Sequence, residues 1–560
     1  MTLGFPAATI DAAAEHRRRG PVMARRGAIA SAHPLVSAAG VRILAEGGNA
    51  VDAAVAAALV ATVVLPAMCG IGGDLFAIVH RPGAGADTLR SFQGSGVGPS
   101  GVTADWLRER GEESPAGRRV MAQHGPLSPA VPGFVDGAFA LLERFGSRSF
   151  ADLAEPAIGY ARDGFPLSPG GAAAIAKTRD RLADYPATAA VFLPGGRPPR
   201  PGELLRQVDL ARSIGEIAQG GPETFYRGEL GRRVTAALAE VGGVLSAEDF
   251  AGHATDVSAP LATTYRGYTV YETALPTQGF VVLEALNIVE RAELGPGALT
   301  TADGVHLGAE ALKAAFADRN AYAGDPRHVD VPLADLISKG WAAERFAAID
   351  PAQATIDARA GALAAAHTTS LSCVDGDGLM ISLIFTLSDA FGSGVVAGDT
   401  GILLTNRAGH CFSLDDGSPN LFAPGKRPMH TLNCYLVADP AGTPVLVGNT
   451  PGGDYQPQWN LQTLTGLIDG GLDVQAATEQ PRWQVWPSTY PAEIGQPMEL
   501  RVEDRLGEAT IAALEAKGHA VSRLGAWGAG GSVQTVARDP ETGVLAAGSD
   551  PRSEGLAIGV

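Results

Sequence analysis

The sequence predicts a mixed α/β fold, of the α+β kind, in which helices cover packed β-sheets. The first observation is the stretch 367–394, HTTSLSCVDGDGLMISLIFTLSDAFGSG. It alternates from Thr368 to Val374, turns at Asp375-Gly376-Asp377-Gly378, and resumes as an apolar run from Leu379 to Leu387. Two such runs joined by an Asp-Gly turn read as a β-hairpin. The second observation is that helical patterns lie before and after it with apolar hairpins in the middle, as expected of helices layered on two sheets.

Taken in order, residues 1–26 read as a poorly ordered leader, basic at Arg17-Arg18-Arg19 and Arg25-Arg26. From Gly27 an apolar segment leads to His33-Pro34 and a helix-like stretch ending in EGGNAVDAAVAAAL (46–59). The Gly47-Gly48 break ends one helix, and Asn49 is placed to cap the next. After Pro66 comes CGIGGDLFAIVH (69–80), glycines followed by an apolar strand. A phosphate-binding loop runs in the reverse order, strand then glycines then helix, so nucleotide binding is not expected. Residues 81–135 are loop-rich, and Leu153 to Ser168 reads as a helix with a short loop. The segment 170–250 carries helical patterns broken by the exposed turn PGGRPPRPGE (194–203). TTYRGYTVYETALPTQG (263–279) alternates like paired strands, and 306–326 is an amphipathic helix with Leu307, Ala311, Leu312 and Ala315 at helical spacing. The segment 340–366 turns from polar to small residues, a flexible tail upstream of the hairpin.

At 560 residues, 46% of them hydrophobic, the chain can bury a large core and exceeds one ordinary domain. Its 72 glycines and 38 prolines have no period, which excludes collagen and low-complexity sequence. A net charge of −17 argues against nucleic acid and anionic membranes as partners. Cys69, Cys373, Cys411 and Cys434 show no CxxC spacing or accompanying histidine pattern, so they read as small buried thiols and not as a zinc site. The N-terminal stretch lacks the apolar core of a secretory signal, and no run of 18 apolar residues exists, so the expectation is a cytoplasmic protein.

The hairpin carries Thr368, Thr369 and Ser372 as a TTxxS motif, then Asp375, Gly378, Thr386, Phe391-Gly392 and Gly394-Val395. GGNAVDAAVA (47–56), the glycine-rich CGIGGDLF, VPGFVDGAF (131–139), the 306–326 helix with its HxxxEAxKxAxADRxxYxGDP pattern, and SDPRSEG (549–555) accompany it. Together they resemble the γ-glutamyltransferase family, from about residue 27 to the tail. The resemblance implies a proenzyme that cuts itself at His367–Thr368, giving a large fragment (27–367) and a small one (368–560). It further implies that both form one four-layer αββα sandwich of N-terminal nucleophile (Ntn) hydrolases. The chemistry suits the residue. A threonine hydroxyl is a weak nucleophile until a base takes its proton, and the newly freed α-amine, with a reference pKa of about 8, can do so.

By the same resemblance Thr368 is nucleophile and base, Thr386 holds it, and Gly452 and Gly453 of NTPGGDYQPQ form the oxyanion hole. Glycines suit that task because donors must approach the oxyanion at about 2.7–3.1 Å. The substrate side departs from the family pattern. The window 91–106 contains no arginine to grip a carboxylate, and Thr103 stands roughly at its place. His430 and Thr431 replace the family's paired serines, Ser388 replaces an asparagine, and the glutamine and aspartate that contact the glutamyl group in the family are replaced near Arg407 and His410. Arg407 is a candidate carboxylate clamp from another direction, and Asp454 is a further candidate contact. The pattern NRAGHxF…PGKRPxHTL resembles the branch with oxamate amidohydrolases and cephalosporin (glutaryl) acylases.

The expectation is therefore a self-processing amide hydrolase or acyltransferase. γ-Glutamyl compounds such as glutathione are the default substrate, and oxamate-like or glutaryl amides are the alternatives. An unprocessed, non-catalytic ligand-binding relative is the competing class, and the intact set Thr368, Thr386, Gly452 and Gly453 stands against it. The expected partners are a small carboxylate-bearing amide and the two fragments of the chain as an obligate pair. No metal or organic cofactor is implied, and a homo-oligomer is left open.

Overall fold

The computed structural model describes residues 2–5, 19–83, 85, 88–355, 367–487 and 489–560. Most of the expected leader, residues 6–18, and the end of the expected tail, 356–366, lie outside the described residues.

Two seven-stranded sheets dominate. In chain order their strands begin with β1 (Val22–Ala24), β2 (Gly27–Ser31), β3 (Asp74–His80), β4 (Leu89–Gly94) and β5 (Asp256–Ser258). Next come β6 (Leu261–Tyr265), β7 (Tyr268–Glu272), β8 (His367–Asp375), β9 (Met380–Ser388) and β10 (Cys434–Ala438). The last are β11 (Pro444–Asn449), β12 (Gln534–Arg538), β13 (Leu545–Ser549) and β14 (Leu556–Gly559). One sheet runs β14-β2-β8-β9-β3-β4-β5 and the other β1-β13-β12-β11-β10-β7-β6. Every neighbouring pair in both sheets is antiparallel. The first strand, Val22–Ala24, falls inside the span read as a leader; it pairs with Leu545–Ala547 and closes an edge of the second sheet.

The packing helices are α1 (Pro34–Ala45), α2 (Ala50–Val64), α3 (Phe134–Phe145), α4 (Phe150–Asp163), α5 (Gly279–Val289), α6 (Ala302–Tyr322) and α7 (Tyr455–Ile468). The layers follow from strand register, because cross-strand partners share one face of a sheet. Thr368, Ser370, Ser372 and Val374 pair with Thr386, Ile384, Ser382 and Met380. Through β3 that face continues to Asp74 and Phe76. Its apolar members pack on Cys434, Leu436, Val447, Val536 and Ala547 of the second sheet. The opposite face, with Leu371, Leu383, Phe385 and Leu387, packs on α1 to α4. The second sheet turns Val270, Tyr435, Val437 and Leu446 towards α5, α6 and α7. The result is helix, sheet, sheet, helix: the four-layer αββα sandwich.

Local signals explain the entry to the first helical layer. Asn49 Oδ1 accepts the N–H groups of Val51 and Asp52, and Asp52 accepts the Asn49 N–H at 3.0 Å, a reciprocal capping box. All fifteen residues of α2 are buried, and Asp375 in the hairpin turn accepts the Ala50 N–H at 3.0 Å. The hairpin is thus tied to the helix that covers it.

Helix α6 differs from the amphipathic surface helix its spacing predicts. Most of its polar side is buried as well, including His306, Glu310, Lys313, Asp318 and Arg319. Lys313 donates to Glu310 at 2.6 Å, Trp341 donates to Asp318 at 2.9 Å, and Arg319 approaches Asp454 at 3.5 Å. Periodicity reports a polar stripe but not whether water or protein covers it. The four cysteines are free and buried. Among the described residues no helix is long and apolar enough to cross a membrane.

Candidate active site

Thr368 stands at the start of β8 on the face between the sheets and is buried. Its hydroxyl donates to Thr386 Oγ1 at 3.1 Å, and that oxygen accepts the Ser388 N–H at 2.8 Å. The β8–β9 register slips by one residue between His367, paired with Ser388, and Thr368, paired with Thr386. Such slips re-aim side chains and concentrate beside active sites. Ser388 opposite holds φ at +84°, a left-handed conformation costing a non-glycine residue on the order of 1–3 kcal/mol. The local irregularity therefore falls on the bond that the resemblance marks as scissile.

The loop between β11 and α7 carries Gly452 and Gly453. Neither glycine N–H donates to a protein acceptor among the described residues, whereas both carbonyls do accept, from Tyr455 N and Gln456 N. Gly453 is buried and Gly452 partly so; buried backbone donors are nearly always paired, so the two adjacent unpaired N–H groups suit an external acceptor. Gly452 has φ +140°, and a Cβ there would lie 2.4 Å from the Trp459 ring. Only glycine fits. Gln278 Nε2 donates to Gly453 O at 3.0 Å and to Thr431 O at 2.8 Å, joining the glycine loop to the substrate-side residues.

The structure brings those candidates together in two groups, with Tyr490 added to one and Asp74 to the other. Ser388 Oγ lies 2.9 Å from His410 Nδ1, and the His410 ring stacks on Tyr490 at 4.0 Å. Tyr490 donates to Thr431 Oγ1 at 3.1 Å. Asp454 Oδ2 accepts the Thr489 N–H at 2.6 Å and also the Thr489 hydroxyl, so it braces the segment that carries Tyr490. Arg407 is fully buried, and its Nε donates to Asp74 Oδ2 at 3.3 Å. His430 Nε2 donates to the same oxygen at 3.1 Å. Burial, reinforced by the Arg407 cation, pulls the His430 imidazole down to about 4 although Asp74 opposes this. His430 is then neutral at ordinary pH, with a lone pair on Nδ1.

Asp74 was not among the candidates read from the sequence. It is the cross-strand partner of Thr386, so Asp74, Thr386 and Thr368 lie on one face of three adjacent strands. Its signal was present: a lone aspartate directly after the glycines of CGIGGDLF, opening an otherwise apolar strand. Gln278 and Tyr490 were also missed, and they carry no such signal. Thr103 does not join the site; it is exposed and caps the helix Ala104–Arg110 by accepting the Trp106 N–H at 3.2 Å.

One cluster elsewhere has metal-ligand chemistry. His306, Glu310 and His519 bring three ligand atoms within 4.8 Å of one another. Lys313 already pairs with Glu310 at 2.6 Å, and the imidazoles are hydrogen-bonded to each other at 2.9 Å. Burial and the nearby Lys313 hold His519 down at about 3. The cluster is closed on itself.

An αββα sandwich with a buried threonine at the start of a central strand, and a glycine loop with two unpaired backbone donors, defines the class: an Ntn hydrolase, an amide-cleaving or acyl-transferring enzyme. Comparison with known proteins makes the assignment specific. The gamma-glutamyltranspeptidase family model matches residues 36–560, and the chain belongs to that family. It is 37% identical over 534 residues to the glutathione hydrolase-like YwrD proenzyme of Bacillus subtilis, covering 95% of this chain and 98% of that one. It is 35% identical over 537 residues to the oxamate amidohydrolase proenzyme of Klebsiella pneumoniae, covering 94% and 97%. The crystal structure of cephalosporin acylase from Bacillus halodurans superposes with a TM-score of 0.88 at 35% identity, covering 99% of each chain.

Proposed function

We propose that the chain cuts itself between His367 and Thr368 and then uses Thr368 as an N-terminal nucleophile on small amides, with γ-glutamyl compounds such as glutathione as the default substrates. The freed α-amine takes the proton from Oγ as Oγ attacks the amide carbonyl. The carbonyl oxygen becomes an oxyanion that accepts the N–H groups of Gly452 and Gly453. Collapse of the tetrahedral intermediate breaks the C–N bond, and the leaving nitrogen takes the proton back from the α-amine. Water or a second amine then attacks the Thr368 ester, restoring the hydroxyl. The observations that support this reading are the buried Thr368 hydroxyl bonded to Thr386 and the unpaired N–H donors of the glycine loop.

The acyl end is read from charge. Arg407 Nη2, Asp74 Oδ1 and His430 Nδ1 are buried without partners among the described residues. With His430 neutral, the arginine and aspartate charges cancel and leave a dipolar receptor, one donor edge beside two acceptors. That pattern complements a zwitterionic amino-acid head, its carboxylate on Arg407 and its ammonium on Asp74 and His430. A lone carboxylate leaves the two acceptors unmatched. Full-length likeness to an oxamate amidohydrolase and a cephalosporin acylase favours the second reading, an acyl group without the ammonium.

The test is to sequence the N-termini of the purified protein and compare γ-glutamyl, glutaryl and oxamate amides as substrates. Two fragments, one beginning Thr-Thr-Ser-Leu-Ser, with γ-glutamyl amides cleaved fastest, are expected. An uncut, inactive chain sinks the catalytic reading, and preference for glutaryl or oxamate amides sinks the zwitterion reading alone.

A further inference from the structure

Helix α7 opens directly from the glycine loop, because the Tyr455 N–H donates to Gly452 O at 3.0 Å and the Gln456 N–H to Gly453 O at 3.1 Å. Side chains on a helix lean towards its N-terminus, so Trp459, one turn after Tyr455, is carried back over that loop. Its ring is buried and stacks on Tyr455 at 5.2 Å. A second glycine pair, Gly530-Gly531 in the turn before β12, meets the same ring. A Cβ on Gly452 would lie 2.4 Å from Trp459 Cζ3, and a Cβ on Gly531 would lie 2.4 Å from that same atom. Two backbones distant in sequence thus close on one edge of the indole.

The clasp is held from outside the loop. Arg482 is buried, with its Cζ 5.3 Å from the centre of the Trp459 ring, where a cation attracts an indole face. Its Nη1 donates to Gly530 O at 2.8 Å and its Nη2 to Asp550, which also accepts the Val533 N–H at 3.1 Å. Trp459 Nε1 is buried without a partner among the described residues. A buried unpaired N–H is a cost, so the indole is kept for its shape.

An oxyanion donor works only when it already points to where the charge develops. Gly452 has no side chain to hold it, so its two peptide planes are fixed by what touches them. The Tyr455 bond to Gly452 O fixes the plane that carries the Gly453 N–H. The plane that carries the Gly452 N–H contains the Pro451 carbonyl, which accepts the Thr450 hydroxyl at 3.0 Å. Thr450 Oγ1 in turn accepts the Ser532 N–H at 3.2 Å, from 82 residues along the chain. The turn that clasps Trp459 therefore reaches this plane by two routes, through the ring and through Thr450.

We infer that Trp459 and Thr450 are positioning residues of the oxyanion loop, and that the turn Gly530-Gly531-Ser532 aims the Gly452 N–H through them. The inference rests on Gly452 as oxyanion donor and Thr368 as nucleophile. Neither residue needs to touch substrate to act. A misdirected donor loses the developing charge of the transition state and leaves ground-state binding intact, so the effect falls on kcat and spares KM.

The experiment measures kcat and KM of the self-processed protein on γ-glutamyl-p-nitroanilide. Gly531→Ala, whose Cβ strikes the ring, is expected to lower kcat about tenfold with KM kept, part of the cost of losing a donor outright. Thr450→Val should lower kcat about fivefold, the return on one hydrogen bond, while Thr450→Ser keeps it. Trp459→Leu should lower kcat at least as far as Gly531→Ala, and Trp459→Phe should recover most of that loss. In the double variant Trp459→Leu/Gly531→Ala the struck atom is gone, so the second substitution should add less than about twofold. Additive losses, or a rise in KM that accounts for the lost kcat/KM, overturn the inference. Gly531→Ala and Thr450→Val carry the same test should Trp459→Leu not fold. Amide hydrogen exchange at Tyr455 and Gln456, whose bonds close the loop, needs no turnover and should quicken in Gly531→Ala. Unchanged exchange overturns the clasp whatever the activity. Quickened exchange in a protein that neither cuts itself nor releases p-nitroaniline overturns the oxyanion reading and keeps the clasp.

Discussion

The two halves of the site are built in opposite ways. The proposed nucleophile and its hydroxyl partner are 18 residues apart on one hairpin, and the glycine pair is a single tight loop. The recognition cluster joins Asp74 to Arg407 across 333 residues, Asp74 to His430 across 356, and Gln278 to Thr431 across 153. The groups proposed to make bonds are held by local backbone geometry; those proposed to read the substrate are held by the meeting of distant segments. Substitutions in the first half should therefore strike the chemical step, and substitutions in the second should strike selectivity while self-cleavage continues.

The strongest break of that division is Thr368→Ala, which removes nucleophile and base together. It should leave one uncut chain by mass spectrometry and no measurable amidase activity. Gly452→Ala comes next, because a Cβ collides with Trp459 and disturbs an oxyanion donor. A loss of about 10²–10³ in kcat is expected, the usual cost of one such donor. Near-UV circular dichroism separates that loss from a folding defect.

Asp74→Asn should sharpen the comparison. The unmatched Arg407 charge and the lost acceptor should cut kcat/KM for γ-glutamyl amides about 10–100-fold and spare glutaryl amides, with normal two-fragment processing. Equal losses on both substrates, or failure to process, would show that Asp74 belongs to the catalytic half.

Acid should act on the second half through His430, lowered to about 4 by burial and Arg407. Its folded value lies below the unfolded value near 6.5, so the unfolded chain binds the extra proton first. The contribution is intact above about pH 6.5 and is lost as pH falls towards about 4, by up to roughly 1.4 kcal/mol per unit. Denaturant titrations of the wild type and His430→Gln should converge across that window; a constant gap between them contradicts the assignment. The smallest effect is Tyr490→Phe, which deletes one hydroxyl bond to Thr431. About 1 kcal/mol, or a roughly fivefold rise in KM with kcat kept, is expected from steady-state kinetics.

Read by itself, the sequence determined what short-range rules can specify. Alternation and an Asp-Gly turn located the β8–β9 hairpin, a glycine break with Asn49 located the start of α2, and a threonine motif with a later glycine pair supplied the proposed catalytic half. It also held the substrate-side candidates Ser388, Arg407, His410, His430, Thr431 and Asp454, though not what each would touch. Tertiary structure alone decided that Arg407 faces Asp74, that most of the polar side of α6 is covered by protein, and that Thr103 caps a surface helix. The reason is physical. Helix caps, turns and strand alternation arise from groups a few residues apart, whereas the pairing of a buried charge depends on which distant segment folding brings against it.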